Sequence, residues 1–340
     1  MAQPDELYTT LYDEMESVLI GNENVVEGLT IALLTRGHVL LEGVPGVAKT
    51  TIANLFATAT GLEYNRIQMT PDVLPADITG TNIYREVTGE FQLQRGPIFA
   101  NLVVADEINR ASPKTQSALL ESMEEHKATI EGDTFGLPIP FMVVATQNPL
   151  EFEGVYELPE AQRDRFMLKL TVDLPDEQEE LELLDRFDDD PQIGPETVSQ
   201  VLSVGDIMEA RETVENVYVD EAVKEYIREL VATSRDHPDL EFGGSPRASL
   251  ALLNGAKARA AIHGREYVIA DDVKQLLEQV LVHRVILQTE AELGERAPAE
   301  VIEEISDSVT PPGSGEIKTD EAVVVSDGNG RDVDAGDGNN

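Results

Sequence analysis

The chain has 340 residues, 41% of them hydrophobic, which suffices for two compact domains or for one large domain with a tail. It carries 65 Asp and Glu against 25 Lys and Arg, a net charge of −40, with only eight lysines; the acids spread along its whole length, which describes a coat suited to screening by molar salt and disfavours nucleic acid as a partner. The absence of cysteine excludes disulfides, thiolate zinc sites and thiol catalysis, and no apolar run approaches the roughly 20 residues of a membrane span. The N-terminus, MAQPDELYTT, lacks the basic and apolar regions of a signal peptide, so a cytoplasmic protein without membrane insertion is expected.

Residues 1–35 read as helical, because LYDEMESVLIG and ENVVEGLTIALLTRG carry apolar residues at helical spacing and Gly21 divides them. Strands and helices then alternate. HVLLEG is an apolar run ending in glycine, TTIANLFATATG a helix closed by Gly61, and EYNRIQM a short strand. FANLVVADE and PFMVVATQN are apolar and β-branched, as strands buried on both faces must be, and RFMLKLTVDLP is the last strand. The pattern predicts a parallel sheet with helices on both sides.

Two stretches interrupt the alternation: residues 69–98, with a hairpin-like IYREVTGEFQLQRG, and residues 127–141, a hairpin expected to turn at Gly132-Asp133. After Pro175 five amphipathic helices follow, with starts expected at Asp220 and at Ala270-Asp271. From about residue 296 the chain is rich in Gly, Pro, Ser and acid, a composition expected to stay disordered. The predicted organisation is an α/β core over 1–178, a helical domain over 179–293 and an acidic tail over 294–340.

HVLLEGVPGVAKTT, residues 38–51, has the plan of a phosphate loop: a buried strand, a glycine turn and a helix N-terminus whose N–H groups and dipole hold an anion. Gly43 and Gly46 supply turn freedom, Pro45 stiffens the loop, Lys49 would reach the β- and γ-phosphates, and Thr50 would ligate Mg²⁺. Val44, Val47 and Thr51 complete the expected lining. Ala48 stands where glycine is usual, which is tolerable while its φ stays negative. The strand NLVVADE ends in Asp106 and Glu107, two carboxylates at the strand end where α/β sheets bind ligands. Asp106 would hold magnesium through water, and Glu107 would polarise the water attacking the γ-phosphate. Asn148, ending MVVATQN, would orient that water; an Asn-Pro turn is the plainer alternative.

Together these segments resemble the AAA+ ATPases, and within them the MoxR family: HVLLEGVPGVAKT, ADEINRASPKTQSALLESMEE, ATQNP, LPEAQRDRFM and GGSPRA match its pattern in order and spacing over about residues 15–290. Ala48 is then a mark of the family. The resemblance implies a P-loop AAA+ three-layer αβα core with a small all-α lid. It places Ile20 and Gly21 at the adenine, Asn148 as sensor 1, Arg165 as a finger into a neighbour's site, and Arg247 as sensor 2, carried by the lid onto the γ-phosphate. Arg163, where the family usually has an apolar residue, competes for the finger role, and Arg110 is a further intersubunit candidate. Residues 69–98 match the family's insert in the second core helix, and residues 127–141 its hairpin before sensor 1.

The activity so implied is Mg-dependent ATP hydrolysis in a homo-oligomeric ring, a hexamer by family analogy. It would swing the lid and drive chaperone-like maturation of a client, with von Willebrand factor A domain proteins among the partners. The acidic coat adds the expectation of a halophilic archaeal source. Three rivals remain. A metal-chelatase motor subunit shares the core and insert, but GVPGVAKT and DEINRA favour MoxR. A nucleic-acid motor would want basic residues on the hairpin, which offers Lys127 alone. A nucleotide-gated scaffold would not need Lys49, Asp106 and Glu107 together. The five histidines lack metal spacing and read as structural or exposed, and no nucleophile-elbow pattern occurs.

Overall fold

The computed structural model describes residues 3–87, 89–149 and 156–313. Two helices, α1 (Pro4–Glu16) and α2 (Glu23–Leu34), precede the core. The core runs β1 (Val39–Glu42), α3 (Lys49–Thr60), β2 (Tyr64–Gln68), α4 (Pro75–Thr79), a hairpin of β3 (Gly80–Arg85) and β4 (Glu90–Arg95), and β5 (Leu102–Asp106). It continues through α5 (Pro113–Glu125), a hairpin of β6 (Lys127–Ile130) and β7 (Asp133–Gly136), β8 (Met142–Gln147), α6 (Glu160–Arg163) and β9 (Leu168–Thr171). Then come α7 (Glu177–Asp189), α8 (Val204–Glu215), α9 (Glu221–Asp236), β10 (Leu240–Phe242), α10 (Pro246–Ile262), α11 (Ala270–Leu281), β11 (Ile286–Leu287), α12 (Thr289–Leu293) and α13 (Pro298–Ser308).

The central sheet is parallel, in the order β2-β5-β8-β1-β9. Alternate side chains of β5 enter different cores. Leu102 and Val104 join the core built on α1 to α3 and the C-terminal helices; Val103 and Ala105 join that of α4, α5 and the second hairpin. Every residue of β5 is buried, which is why LVVAD runs apolar without alternation. The helical domain thus shares a core with one face of the sheet. None of the described helices is long and apolar enough to cross a membrane.

Both hairpins form. The first pairs Gly80 with Arg95 through Arg85 with Glu90. The second turns one residue earlier than expected: Ile130 pairs with Asp133, and Glu131 and Gly132 carry φ of 52° and 102°. Two consecutive positive φ values match the right-handed twist of a tight hairpin, so the turn selects the pair containing glycine at its second position. Glu131 accepts from Thr81 Oγ1 (3.2 Å) and Asn82 Nδ2 (3.0 Å), which joins the two hairpins.

The expected disordered tail is corrected in part. Residues 298–308 form α13, and Val301, Ile302 and Ile305 are buried against α9 and α11. Burial of each such side chain contributes about 1.5–3 kcal/mol, which outweighs the local composition. Residues 314–340 lie outside the described residues.

Two buried arginines tie the helical domain to the core. Arg211 on α8 donates to Leu33 O at the end of α2 through Nε (3.0 Å) and Nη2 (2.6 Å). Arg284, 4% exposed, donates to Asp164 Oδ1 (2.7 Å), Phe166 O (2.6 Å) and Met167 O (3.1 Å). Ser245, the N-cap of α10, donates to Asp164 as well (3.1 Å).

Candidate nucleotide site

β5, β8 and β1 lie side by side, and the segment after each brings polar groups to one edge of the sheet. In a parallel sheet such carboxyl ends open into a crevice where the strand order reverses. Here it is a cleft of about 450 Å³, lined by residues 45–51, by Asp106 and Glu107, and by Thr146, Gln147 and Asn148.

The loop over residues 43–48 leads into the N-terminus of α3, so its amides and the helix dipole face the cleft. Gly43 is required for space: a Cβ there would lie 2.5 Å from Val172 O. Gly46 is required for conformation, at φ +92° with nothing near. Ala48 departs from expectation. It is the N-cap of α3 and sits at φ 61°, in the left-handed region. The usual glycine therefore has a conformational reason here, and alanine carries a strain of about 1 kcal/mol. Lys49 Nζ donates to Gly43 O (2.5 Å) and Val44 O (3.0 Å), which holds the ammonium at the mouth of the loop.

Asp106 and Glu107 are positioned by different neighbours. Asp106 Oδ1 accepts from the fully buried Thr146 Oγ1 (2.5 Å). Its Oδ2 lies 3.3 Å from Thr50 Oγ1 and forms an ion pair with Arg66. Glu107 adopts φ 56°, a strained left-handed backbone of the kind found at active sites, and its N–H donates to Thr146 Oγ1 (2.9 Å). Its Oε2 accepts from Gln68 Nε2 (2.8 Å) and Arg110 Nη1 (2.9 Å). Arg110, a candidate for an intersubunit contact, thus pairs within its own chain. Asn148 is buried at the end of β8, inside the cleft.

The Thr50 hydroxyl and Asp106 carboxylate are hard oxygen donors beside the phosphate loop, which fits a magnesium ion that takes its other ligands from phosphate and water. Among the described residues there is no cluster of three His, Cys, Asp or Glu to hold a metal by protein ligands alone.

Four expected residues lie outside this cleft. Ile20 and Gly21 are absent from the cleft lining; they join α1 to α2, where a Cβ on Gly21 would meet Glu179 of α7 at 2.2 Å. Arg165 and Arg247 line a second cleft of about 270 Å³, between the end of α5, the turn into β9 and α10. There each takes one oxygen of Glu124: Arg165 Nη2 lies 3.1 Å from Oε2 and Arg247 Nη2 2.5 Å from Oε1. The two guanidinium groups, Arg247 first, hold the Glu124 carboxyl below the usual range. In this structure Arg247 lies away from the phosphate loop of its own chain, on α10, whose N-cap Ser245 is bonded with Arg284 to Asp164 beside Arg165. Arg163 lies outside this cleft, and its Nε is buried without a hydrogen-bond partner.

His38 is buried at the head of β1 with both nitrogens used. Nδ1 accepts from Val143 N (3.0 Å) and Nε2 donates to Met123 O (3.1 Å), as expected of a structural histidine. Sequence reading overlooked Thr146, Arg66 and Gln68. A lone threonine in the apolar MVVATQ was the available signal for the first; nothing short of the register Gln68↔Asp106 identifies the other two.

Residues 38–168 match the family described as "ATPase family associated with various cellular activities (AAA)", and residues 232–305 match the AAA lid domain. The protein YeaC of Bacillus subtilis, uncharacterised, is 44% identical over 92% of this chain and 98% of its own. The chaperone MoxR1 of Mycobacterium tuberculosis is 44% identical over 88% of this chain and 81% of its own. A crystal structure from Cytophaga hutchinsonii, described as that of "a putative ATPase", superposes with a TM-score of 0.84 at 39% identity, over 91% of this chain and 97% of that one. With its parallel core, its lid and relatives this similar along most of its length, the chain belongs to the MoxR family of AAA+ ATPases.

Proposed function

We propose that this chain is a magnesium-dependent ATP hydrolase whose site is completed by a neighbouring copy in a ring. The separation of the two clefts carries the reading. One holds the phosphate loop, Asp106 and Glu107; the other holds Arg165 and Arg247, with no phosphate loop beside them. Two cations that cannot serve their own cleft fit the terminal phosphate of a nucleotide bound next door.

In the phosphate cleft, the loop amides and Lys49 bind the β- and γ-phosphates, while Thr50 and Asp106 would hold magnesium. When bound, the metal offsets charge on the phosphate oxygens. Glu107 orients a water in line with the γ-phosphate and accepts its proton, and Asn148 fixes that water's position. The water oxygen bonds to phosphorus, the bond to the β-phosphate bridging oxygen breaks, and ADP and phosphate leave. Arg165 and Arg247 from the neighbour neutralise the charge that develops. The strap through Arg284 supports a lid that moves with its own core, so that hydrolysis shifts one copy against the next. Such motion suits chaperone-like remodelling of a client, with a von Willebrand factor A domain protein as an adaptor and six copies to a ring. The acidic coat suits molar salt, where exposed charges are screened.

The test is steady-state ATP hydrolysis in high-KCl buffer across protein concentrations. Specific activity that rises with concentration and vanishes in Glu107→Gln and Arg165→Ala supports a shared site. Nucleotide binding without turnover in the wild type sinks the hydrolase, and turnover that survives Arg165→Ala sinks the shared site.

A further inference from the structure

We propose that Arg66 is a positioning residue that couples the metal side of Asp106 to the orientation of Glu107. The inference rests on the hydrolase reading above. The two oxygens of Asp106 are used differently. Oδ1 is committed to the buried Thr146 hydroxyl. Oδ2 faces Thr50 at 3.3 Å, so it is the oxygen toward a metal, and it accepts from Arg66 Nε (3.0 Å) and also from Nη2. One carboxylate oxygen thus carries a guanidinium on two arms where a metal-bound water is expected to sit. The Asp106 side chain is 10% exposed, so its charge needs a partner, and Arg66 supplies one.

The Arg66 side chain is 50% exposed and lies outside the lining of the cleft. A pair with one partner so exposed is weak, and a hydrated divalent cation can displace it. That displacement has a consequence at Glu107. Arg66 Nη2 also donates to Gln68 Oε1 (3.0 Å), two residues along β2. With the amide oxygen held there, the amide nitrogen points to Glu107 Oε2 at 2.8 Å. Arg66 therefore orients Gln68, and Gln68 together with Arg110 holds the carboxylate of Glu107. With a hydrated metal at Oδ2, Arg66 swings out, Gln68 loses its charged donor, and the Glu107 carboxylate is left with Arg110 as its one remaining tie and turns more readily toward water. The device holds the base by two contacts until the metal site is filled and by one thereafter.

The test is magnesium titration of fluorescent ADP binding to the full chain, with kcat and KM for Mg-ATP measured alongside. Arg66→Gln removes the competitor at Oδ2, and the magnesium midpoint falls about fivefold, the equivalent of about 1 kcal/mol. Affinity for the nucleotide in EDTA changes less than about twofold. Arg66→Lys keeps a cation on Asp106 but cannot also hold Gln68, so its magnesium midpoint stays with the wild type. Gln68→Ala also leaves the midpoint unmoved. In both of these variants kcat changes while KM for the nucleotide holds. A midpoint that is unchanged or raised in Arg66→Gln, with thermal unfolding like the wild type, overturns the proposal. Should Arg66→Gln fail to fold, a midpoint that moves in Gln68→Ala overturns it equally. Wild-type protein that binds no nucleotide refutes the hydrolase reading and this inference with it. Wild type that binds and hydrolyses, with no shift in Arg66→Gln, refutes this inference alone.

Discussion

The phosphate cleft and the arginine cleft solve opposite electrostatic problems. The first gathers two carboxylates beside a helix N-terminus and a lysine, an arrangement shaped to receive phosphate together with a cation. The second gathers Arg165 and Arg247 and pairs both with Glu124, one negative charge against two positive. Under the proposed reading the first cleft supplies the loop and carboxylates of a shared site, and the second supplies its arginines from the neighbouring chain. The comparison predicts that damage to each cleft will look alike in activity and in binding, and that only mixing the damaged chains will tell the two apart.

The largest expected effect is Glu107→Gln. Loss of the base should lower kcat by about 10³-fold, within the usual range for a positioned acid or base, while nucleotide binding survives. Retained turnover would remove Glu107 from the chemistry. Arg165→Ala should cost a similar factor, about 10³, as the loss of a finger does, again with nucleotide binding intact. Mixing the two dead variants sharpens the contrast. In a ring assembled at random from equal parts, about a quarter of interfaces join an intact Glu107 to an intact Arg165, so activity should return. No recovery in mixed rings would place both residues in one chain's site.

Much of the phosphate cleft was legible because its parts are local. A buried strand, a glycine turn and a helix start sit within fourteen residues of sequence, 38–51, and a strand that ends in two acids announces itself by their cost of burial. The arginine cleft was legible only as separate motifs. DRF and SPRA are distant in sequence, and their meeting depends on Arg284, Asp164 and Ser245, a strap with no local signature. The same limit hid Arg66 and Gln68, whose roles follow from strand register. Conformation was misjudged where composition spoke for it. Ala48 was expected at negative φ and lies at 61°, and the segment over 298–308 was expected to be disordered and forms a packed helix.

His38 offers a test of how the two clefts are joined, since it heads the strand that leads to the phosphate loop and borders the arginine cleft. Burial lowers its pKa from 6.5 to about 4, with the hydrogen bond to Met123 opposing and His126 adding to the fall. Burial also lowers His126, in the same direction. A depressed histidine is neutral in the folded state, so above about pH 6.5 neither state takes up a proton and the contribution is flat. As pH falls from about 6.5 to about 4, only the unfolded chain binds the proton, and stability drops by up to roughly 3 kcal/mol. His38→Asn should be less stable at neutral pH but lose less on acidification, read as urea midpoints across that window. Equal slopes would mean that His38 titrates in the folded state and the two cleft walls part there.

The smallest effect concerns the phosphate cleft alone. Ala48→Gly replaces a residue at φ 61° by the one that tolerates it without strain. Relief of left-handed strain should stabilise the folded state by about 1 kcal/mol, less a few tenths for the freer unfolded chain. Thermal unfolding in high salt should therefore rise by about 2 °C, as expected for a chain of this size. Binding is the sharper readout. If Ala48 is strained so that the loop is preset for phosphate, glycine should add stability to the free protein and weaken nucleotide affinity by a few-fold. If the methyl group is incidental, affinity should hold while stability rises. A fall in stability would contradict the left-handed backbone itself, because the freer unfolded chain alone offsets less than the strain relieved there.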